Sequence, residues 1–182
     1  MAGVLRAIAS DDEATADSAF ETLTGWISHQ GSIYQTTTAC VPFLVELTQI
    51  AHFHRADLIW EVGYVADPDR TGGPEHVNIR AAVARSVDRI ATLIDDKDPV
   101  VRAHAAYTLV QCGGTGRAEV LWQRWQVEDD PDVRAALHIA LGQRDTDNAV
   151  EALSSAMLTG SPRERLAAAV AISRADLDRR SG

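Results

Sequence analysis

Cysteine is scarce in this sequence, which has only Cys40 and Cys112 among its 182 residues. The two lie far apart and form no CxxC pair, whereas small secreted proteins carry closely spaced cysteines that form several disulfides. A disulfide framework is therefore excluded, and a chain of this length buries a sufficient core without one. We expect two buried thiols that are not bridged.

Long apolar runs are also lacking. No segment approaches the roughly 20 consecutive apolar residues that a membrane-spanning helix needs, and residues 1–10 lack the apolar segment of a secretion signal. The sequence has one lysine, Lys97, against sixteen arginines, and it is rich in alanine, a bias that is typical of a GC-rich genome. We therefore expect a cytoplasmic bacterial protein with no membrane partner.

Basic residues are few. Lys and Arg total 17 against 26 Asp and Glu, which leaves a net charge of −9. Because nucleic-acid binders neutralise phosphates with basic side chains, a general nucleic-acid binder is excluded. The acidic surplus is uneven, with 15 acidic and 7 basic residues in 1–100 but 11 and 10 in 101–182. A charged protein partner of the N-terminal half should therefore be basic.

A repeated pentapeptide organises the C-terminal half. Residues 98–102 read DPVVR, residues 130–134 read DPDVR and residues 161–165 read SPRER. In each, Asp or Ser is a helix N-cap, Pro suits the first helical turn, and an Ala-rich amphipathic stretch follows. Glu164 breaks the apolar pattern, as is typical of a terminal repeat. The spacing predicts three buried stripes: Val101, Ala105 and Leu109; Val133, Leu137 and Leu141; and Leu166, Val170 and Ile172.

Partner helices are predicted beside the capped ones, at about 85–95, 117–127 and 147–158, with turns such as the glycine-rich segment 113–116. Each pair forms a helical hairpin, and no alternating strand pattern is present. We predict an all-α chain, an α-solenoid of stacked antiparallel helical hairpins. We expect one domain over 1–182, with irregular hairpins and a loop in 10–74, regular repeats in 75–176 and a tail in 177–182.

The N-terminal half is predicted to be helical but less regular. The apolar spacing indicates helices at 11–29, 35–50 and 55–65, followed by a long helix at 75–95. Pro42 should kink or interrupt the second of these helices. Segment 68–74 is rich in turn-forming residues, and we expect it to be the most mobile loop.

The three pentapeptides in register resemble HEAT repeats. The segment 26–66, with Trp26, Tyr34, VPFL at 41–44 and HRADL at 54–58, resembles the opening of a largely uncharacterised actinobacterial group of HEAT-repeat proteins. The resemblance implies the fold more than an activity. It also implies that the Arg closing each pentapeptide pairs with a nearby Asp to form a structural ladder between repeats, here from Arg102, Arg134 and Arg165.

Two HEAT-like enzyme classes are disfavoured by the sequence. HEAT-like DNA glycosylases resemble basic clamps, which a net charge of −9 argues against. HEAT-like di-iron hydroxylases carry repeated His-Glu pairs, and this sequence contains none.

Aromatic residues make up 5% of the sequence and concentrate in its N-terminal third: Trp26, Tyr34, Phe43, Phe53, Trp60 and Tyr64. Core packing accounts for most of them. Trp60 and Tyr64 share a helical face with Glu61 beside them, and Trp26 shares another face with His29. If these faces converge, they form an aromatic pocket for a small cationic or hydrophobic ligand, or for a side chain of a partner.

Two further ligand-binding candidates, His104 and Tyr107, lie on the first capped helix. They fall off its apolar stripe and should face outward. In HEAT arrays the capped helix lines the concave side, so both residues are candidates to line a groove.

Sites for metals and covalent chemistry are not evident. Alternate helical residues such as His52 and His54 point about 200° apart, and no further ligands complete a zinc set. A polar helix junction explains this pair, and we expect no metal and no cofactor. Cys112 and His104 would need direct hydrogen-bond contact to act as a catalytic pair. No phosphate-binding, nucleophile-elbow or dinucleotide motif occurs, so no catalytic residue is identified.

The leading hypothesis is a non-catalytic binding module that presents a curved acidic groove to a basic protein partner, in one version as an immunity-type protein that neutralises a toxin. The alternative is a small-molecule enzyme or ligand carrier of specialised metabolism that uses the N-terminal aromatic pocket. In that case Glu61, His29 or His104 would supply acid–base groups.

Overall fold

The structure is a computed structural model that describes residues 1–27, 34–70, 74–113 and 117–181. These residues are helical and form no strand, which confirms the all-α prediction. The helices are α1 (Ala2–Ile8), α2 (Glu13–Ile27), α3 (Gln35–Ile50), α4 (Arg55–Ala66), α5 (His76–Arg85), α6 (Val87–Thr92) with a 3-10 turn at Leu93–Asp95, α7 (Pro99–Gln111), α8 (Ala118–Val127), α9 (Pro131–Arg144), α10 (Thr146–Thr159) and α11 (Pro162–Ser181).

The chain divides into two compact units. The first unit comprises residues 1–90 with 111–113, and the second comprises 91–110 with 114–182. Each unit has its own buried apolar residues. Among the described residues, no helix is both long and apolar enough to cross a membrane. Neither cysteine forms a disulfide, and both are buried, as the sequence predicts.

The first unit is built on the hairpin of α3 and α4. Helix α5 packs against both of these helices, and α1 packs against α2. Fully buried aliphatic side chains such as Leu23, Leu44, Leu58 and Ile79 form the core. The short helix α1 was not predicted from the sequence.

The structure excludes one of the two alternatives predicted for Pro42, and it shows that the prediction of one long helix at 75–95 is wrong. Helix α3 runs without interruption through Pro42, so the alternative of a break there is excluded. The single long helix predicted at 75–95 is instead divided at Ser86, whose backbone N–H donates to the carbonyl of Val83 in a turn (2.9 Å). The loop predicted at 68–74 and the glycine-rich turn at 113–116 lie partly outside the described residues.

The second unit contains the three capped helices, which begin at Pro99, Pro131 and Pro162 as predicted. The side chain of Asp130 accepts from the N–H groups of Asp132 (2.9 Å) and Val133 (3.1 Å), which satisfies two donors of the first turn of α9. The first two predicted apolar stripes are buried.

The third predicted stripe, on α11, is wrong. Leu166 is 66% exposed, and Ala167, Ala168 and Ala171 are buried instead. Helix α11 packs against α9, where a methyl group added to Gly142 would lie 2.6 Å from the β-carbon of Ala171. Because the two backbones approach so closely, only small residues fit between them, and the larger side chain of Leu166 lies in solvent while Val170 and Ile172 are half-buried.

Candidate functional site

The stacked aromatic pair on α4 is the centre of the candidate site in the first unit. The rings of Trp60 and Tyr64 have centroids 4.9 Å apart and planes 21° apart, and both side chains are half-buried. They lie four residues apart, so the helix itself brings them together. The structure thus confirms the shared face that the spacing predicts.

Glu61 lies beside this pair and is only 8% exposed. Its Oε2 atom is buried and has no hydrogen-bond partner. Burial, with a smaller contribution from the nearby carboxylate of Asp57, raises the pKa of Glu61 to about 7. The carboxyl group is therefore near the midpoint of its titration at neutral pH, unlike an ordinary surface glutamate.

The helical period explains this arrangement. At about 100° per residue, positions 57, 60, 61 and 64 fall on one side of α4. The opposite side carries fully buried residues such as Leu58, Ile59 and Val62, which belong to the core. Glu61 lies at the edge of its side, next to the core residues. We call Asp57, Trp60, Glu61 and Tyr64 the α4 face.

Trp26 and Tyr34 lie at a second place in this unit, the junction between α2 and α3. The hydroxyl of Thr37 donates to the carbonyl of Ile27 (2.7 Å) and accepts from the N–H of Tyr34 (3.1 Å), which holds the two chain segments together. Trp26 is 44% exposed and Tyr34 is 47% exposed.

The expectation that most N-terminal aromatic residues are core is therefore wrong, because Phe43 is exposed as well. Within the described residues, the ring of Trp26 does not stack on the ring of Trp60 or Tyr64. His29 lies outside the described residues, so its predicted place in a pocket stays a prediction.

His54 connects α2 to the start of α4. Its Nε2 lies 2.7 Å from Asp17 and its Nδ1 lies 3.2 Å from Asp57, and its ring stacks on Phe20 with centroids 4.5 Å apart. Burial lowers the pKa of His54, but the hydrogen bonds to the two carboxylates outweigh it and raise the pKa overall. His52 lies beside Asp11 at 2.9 Å on the surface.

The remaining candidates, His104 and Tyr107, lie on α7 in the second unit and are half-buried. They are one turn of helix apart, as their spacing requires. Their assignment to a groove stays a prediction.

In the second unit, the arginines that close two of the three pentapeptides pair with an acidic residue, as the HEAT resemblance implies. The acidic residue differs from the expected one. Arg102 donates two hydrogen bonds of 2.9 Å to Glu128, and Arg134 donates one of 2.7 Å to Glu164. The partners are glutamates rather than the expected aspartates, and the third arginine, Arg165, is exposed. The ladder role of Glu164 was not predicted, although its place in an otherwise apolar pattern was the signal that could have revealed it.

Glu128 is the most strongly perturbed acid of this unit. Burial favours its neutral form, but the hydrogen bonds from Arg102, Arg124 and the N–H of Asp130 outweigh burial and lower its pKa to about 2. The carboxylate is thus fixed in its charged form as a structural counter-ion.

A buried histidine was not identified from the sequence. His138 is fully buried on α9, and its Nε2 accepts a hydrogen bond from the indole N–H of Trp125 (3.0 Å). Burial lowers the pKa of His138, and Arg134 adds to this effect against the opposing influence of Glu164. Trp125 is half-buried and packs under the guanidinium of Arg134, 5.3 Å from its ring centroid.

In the part of the chain that the structure describes, no group of three or more His, Cys, Asp and Glu side chains is arranged to hold a metal ion. Residues 54–142 match the family model of HEAT repeats. A search of curated proteins finds no match.

Proposed function

Because this chain is a HEAT-repeat protein, we propose that it is a non-catalytic binding module whose first unit engages a basic protein partner. HEAT repeats commonly serve as scaffolds for protein interaction, since stacked hairpins offer extended surfaces. The exposure of Trp26 and Tyr34 at one helix junction is the observation that carries the proposal.

Exposed aromatic residues support a protein partner. Trp and Tyr are enriched in protein interfaces, where their large rigid side chains contribute much of the binding energy. The hydrogen bonds of Thr37 join the carbonyl of Ile27, the residue after Trp26, to the N–H of Tyr34, so both aromatic residues belong to one helix junction. Leaving two such rings in water has no evident benefit for the stability of the fold.

Charge supports a basic partner. From residue 11 to residue 27 the chain carries five acidic residues and no lysine or arginine. These acids are exposed: Asp11, Asp12, Glu13, Asp17 and Glu21. Glu13, Asp17 and Glu21 lie on α2, which also carries Trp26 near its C-terminal end, and Asp11 and Asp12 come just before it, so acidic side chains and an aromatic anchor occupy one part of the chain. Such an arrangement attracts a basic partner and speeds its association.

The immunity-type version remains the most specific form of this proposal. A basic toxin would be the partner, and the acidic surface of the first unit would cover it. A curved groove that includes His104 and Tyr107, both on α7 in the second unit, is a separate proposal.

The test is capture of the product of an adjacent gene by the purified chain. We expect binding at low ionic strength that is lost in about 1 M salt, where the Debye length falls to about 3 Å. The double variant Trp26→Ala with Tyr34→Ala should lose most of this binding while retaining its helical circular dichroism. Leu158→Ala, which removes an 81% exposed apolar side chain from the second unit, should bind as the unchanged protein does. Equal capture by the double variant, or no capture at low salt, would contradict the proposal.

The second candidate function is a small-molecule enzyme or carrier. The buried, unpartnered Oε2 of Glu61 favours it, because an acid with a pKa of about 7 is suited to proton transfer at neutral pH. Genes of a biosynthetic pathway beside this one would support this function, whereas an adjacent toxin gene would support the first. Turnover of a pathway intermediate by the chain, abolished in Glu61→Gln, would establish it.

A further inference from the structure

We infer that the α4 face is a subsite for an organic cation on an alkyl stem, a guanidinium or alkylammonium group, with the carboxylate of Glu61 as its counter-ion. The inference rests on the proposed function, because the basic side chain of a partner protein is the source of such a cation. It adds a specific recognition site to a unit whose surface carries exposed acidic and aromatic side chains.

The Oε2 atom of Glu61 lacks a hydrogen-bond partner among the described residues. A buried carboxylate oxygen without a hydrogen bond is unfavourable, and native proteins pair nearly all such groups. The neighbouring basic residue, Arg55, donates through its Nε to the carbonyl of Thr48 on α3 (2.9 Å), and no donor reaches Glu61 Oε2 within the described residues. A cationic ligand would supply the donors that the described part of the chain does not.

The stacked rings of Trp60 and Tyr64 offer aromatic faces to a cation. The faces of aromatic rings carry negative potential and attract a cation that lies within about 6 Å of the ring centroid. Trp60 and Tyr64 present two stacked rings one residue and three residues away from Glu61. The alkyl stem of an arginine or lysine packs on such rings while its charged head reaches a carboxylate.

The α4 face carries two acidic side chains, Asp57 and Glu61. Asp57, one helical turn before Glu61, is half exposed and adds a second negative charge. The repulsion between these two carboxylates favours the neutral form of Glu61, and a bound cation relieves it. Binding at neutral pH should therefore release protons from Glu61.

The experiment uses the full chain and two probes, n-butylguanidinium and a short peptide with a single arginine. Binding is followed by the shift of the Trp60 indole N–H signal in ¹H–¹⁵N spectra, assigned with Trp60→Phe, and by calorimetry in buffers of different ionisation enthalpy. Glu61→Gln keeps the volume and removes the charge. Glu46→Gln, an exposed glutamate of α3, removes the same charge elsewhere in the unit.

We expect saturable binding with proton release near pH 7, at least about tenfold weaker in Glu61→Gln and unchanged in Glu46→Gln. Equal losses in both variants, or equal binding by Glu61→Gln and the unchanged protein, would overturn the subsite. Tighter binding of the peptide identifies a protein side chain as the cation, whereas equal or tighter binding of n-butylguanidinium identifies a small molecule.

The two proposals fail separately. If Glu61→Gln captures the basic partner as well as the unchanged protein does, the subsite is wrong and the proposed function stands. If no partner is captured but n-butylguanidinium binds in a Glu61-dependent way, the subsite stands and the proposed function is wrong.

Discussion

Arg102 and Glu128 face each other through two parallel hydrogen bonds, from Nε to Oε2 and from Nη2 to Oε1, each 2.9 Å long. Arg102 closes the pentapeptide that begins α7, and Glu128 lies just before the one that begins α9. The pair therefore connects one repeat to the next within the second unit. Because the Glu128 side chain is fully buried, its charge depends on these donors and on Arg124.

Replacing Arg102 should destabilise the protein, because Arg102 is a main hydrogen-bond donor to the buried carboxylate of Glu128. In Arg102→Met the alkyl volume remains, but Glu128 keeps only Arg124 and the N–H of Asp130 as donors. We expect a loss of about 3 kcal/mol in the free energy of unfolding, measured by urea denaturation.

The matched control is Arg165→Met, at the equivalent place in the third pentapeptide. Arg165 is exposed, and we expect a change within about 0.5 kcal/mol. Similar losses in the two variants would show that the ladder is not what stabilises the repeats.

Acid should unfold the second unit through Glu128. Its pKa is about 2 in the folded protein, below the ordinary 4.5, so the folded state binds fewer protons than the unfolded state between these values. The stability from this group is present above pH 4.5 and is lost as the pH falls toward 2. In Glu128→Gln, we expect lower stability at pH 7 and a weaker dependence on pH below 4.5. An unchanged pH profile in that variant would contradict this assignment.

The sequence predicts most of the fold but less of the site. Caps and periodicity locate α7, α9 and α11 correctly because the signals are local, as with Asp98 before Pro99. The stripe on α11 fails because helix approach at Gly142 selects small residues, and that approach depends on tertiary packing. Pairing Trp60 with Tyr64 follows from helical spacing, whereas the burial of Glu61 depends on the neighbours of α4, which no local pattern encodes.

Glu61 should make the stability of the first unit fall as the pH rises. Its pKa is about 7 in the folded protein and near 4.5 when unfolded, so the folded state binds more protons between these values. Stability should be greatest below pH 4.5 for this group and decline by about 3 kcal/mol by pH 7 or above. Urea denaturation from pH 5 to 8 measures the decline, which Glu61→Gln should largely remove. The same decline in Glu61→Gln would assign it to another group.

The surroundings of two helical glycines predict opposite outcomes for substitution by alanine. Alanine is favoured over glycine within a helix by about 1 kcal/mol. Gly25, on α2, has no atom within 4 Å of an added β-carbon, so Gly25→Ala should stabilise by about that amount. At Gly142 the added carbon would lie 2.6 Å from the β-carbon of Ala171 and 3.4 Å from its α-carbon. The backbone of α11 must move, and Gly142→Ala should destabilise by about 2 kcal/mol.

Thermal and urea unfolding of the two variants measures this contrast, and a second substitution tests its cause. Ala171→Gly removes the methyl group that the new side chain meets, so we expect it to restore part of the loss when combined with Gly142→Ala. Because the two residues touch, their effects should not add, and the double variant should be more stable than the sum of the two single changes predicts. Strict additivity would mean that α9 and α11 do not approach each other at these residues.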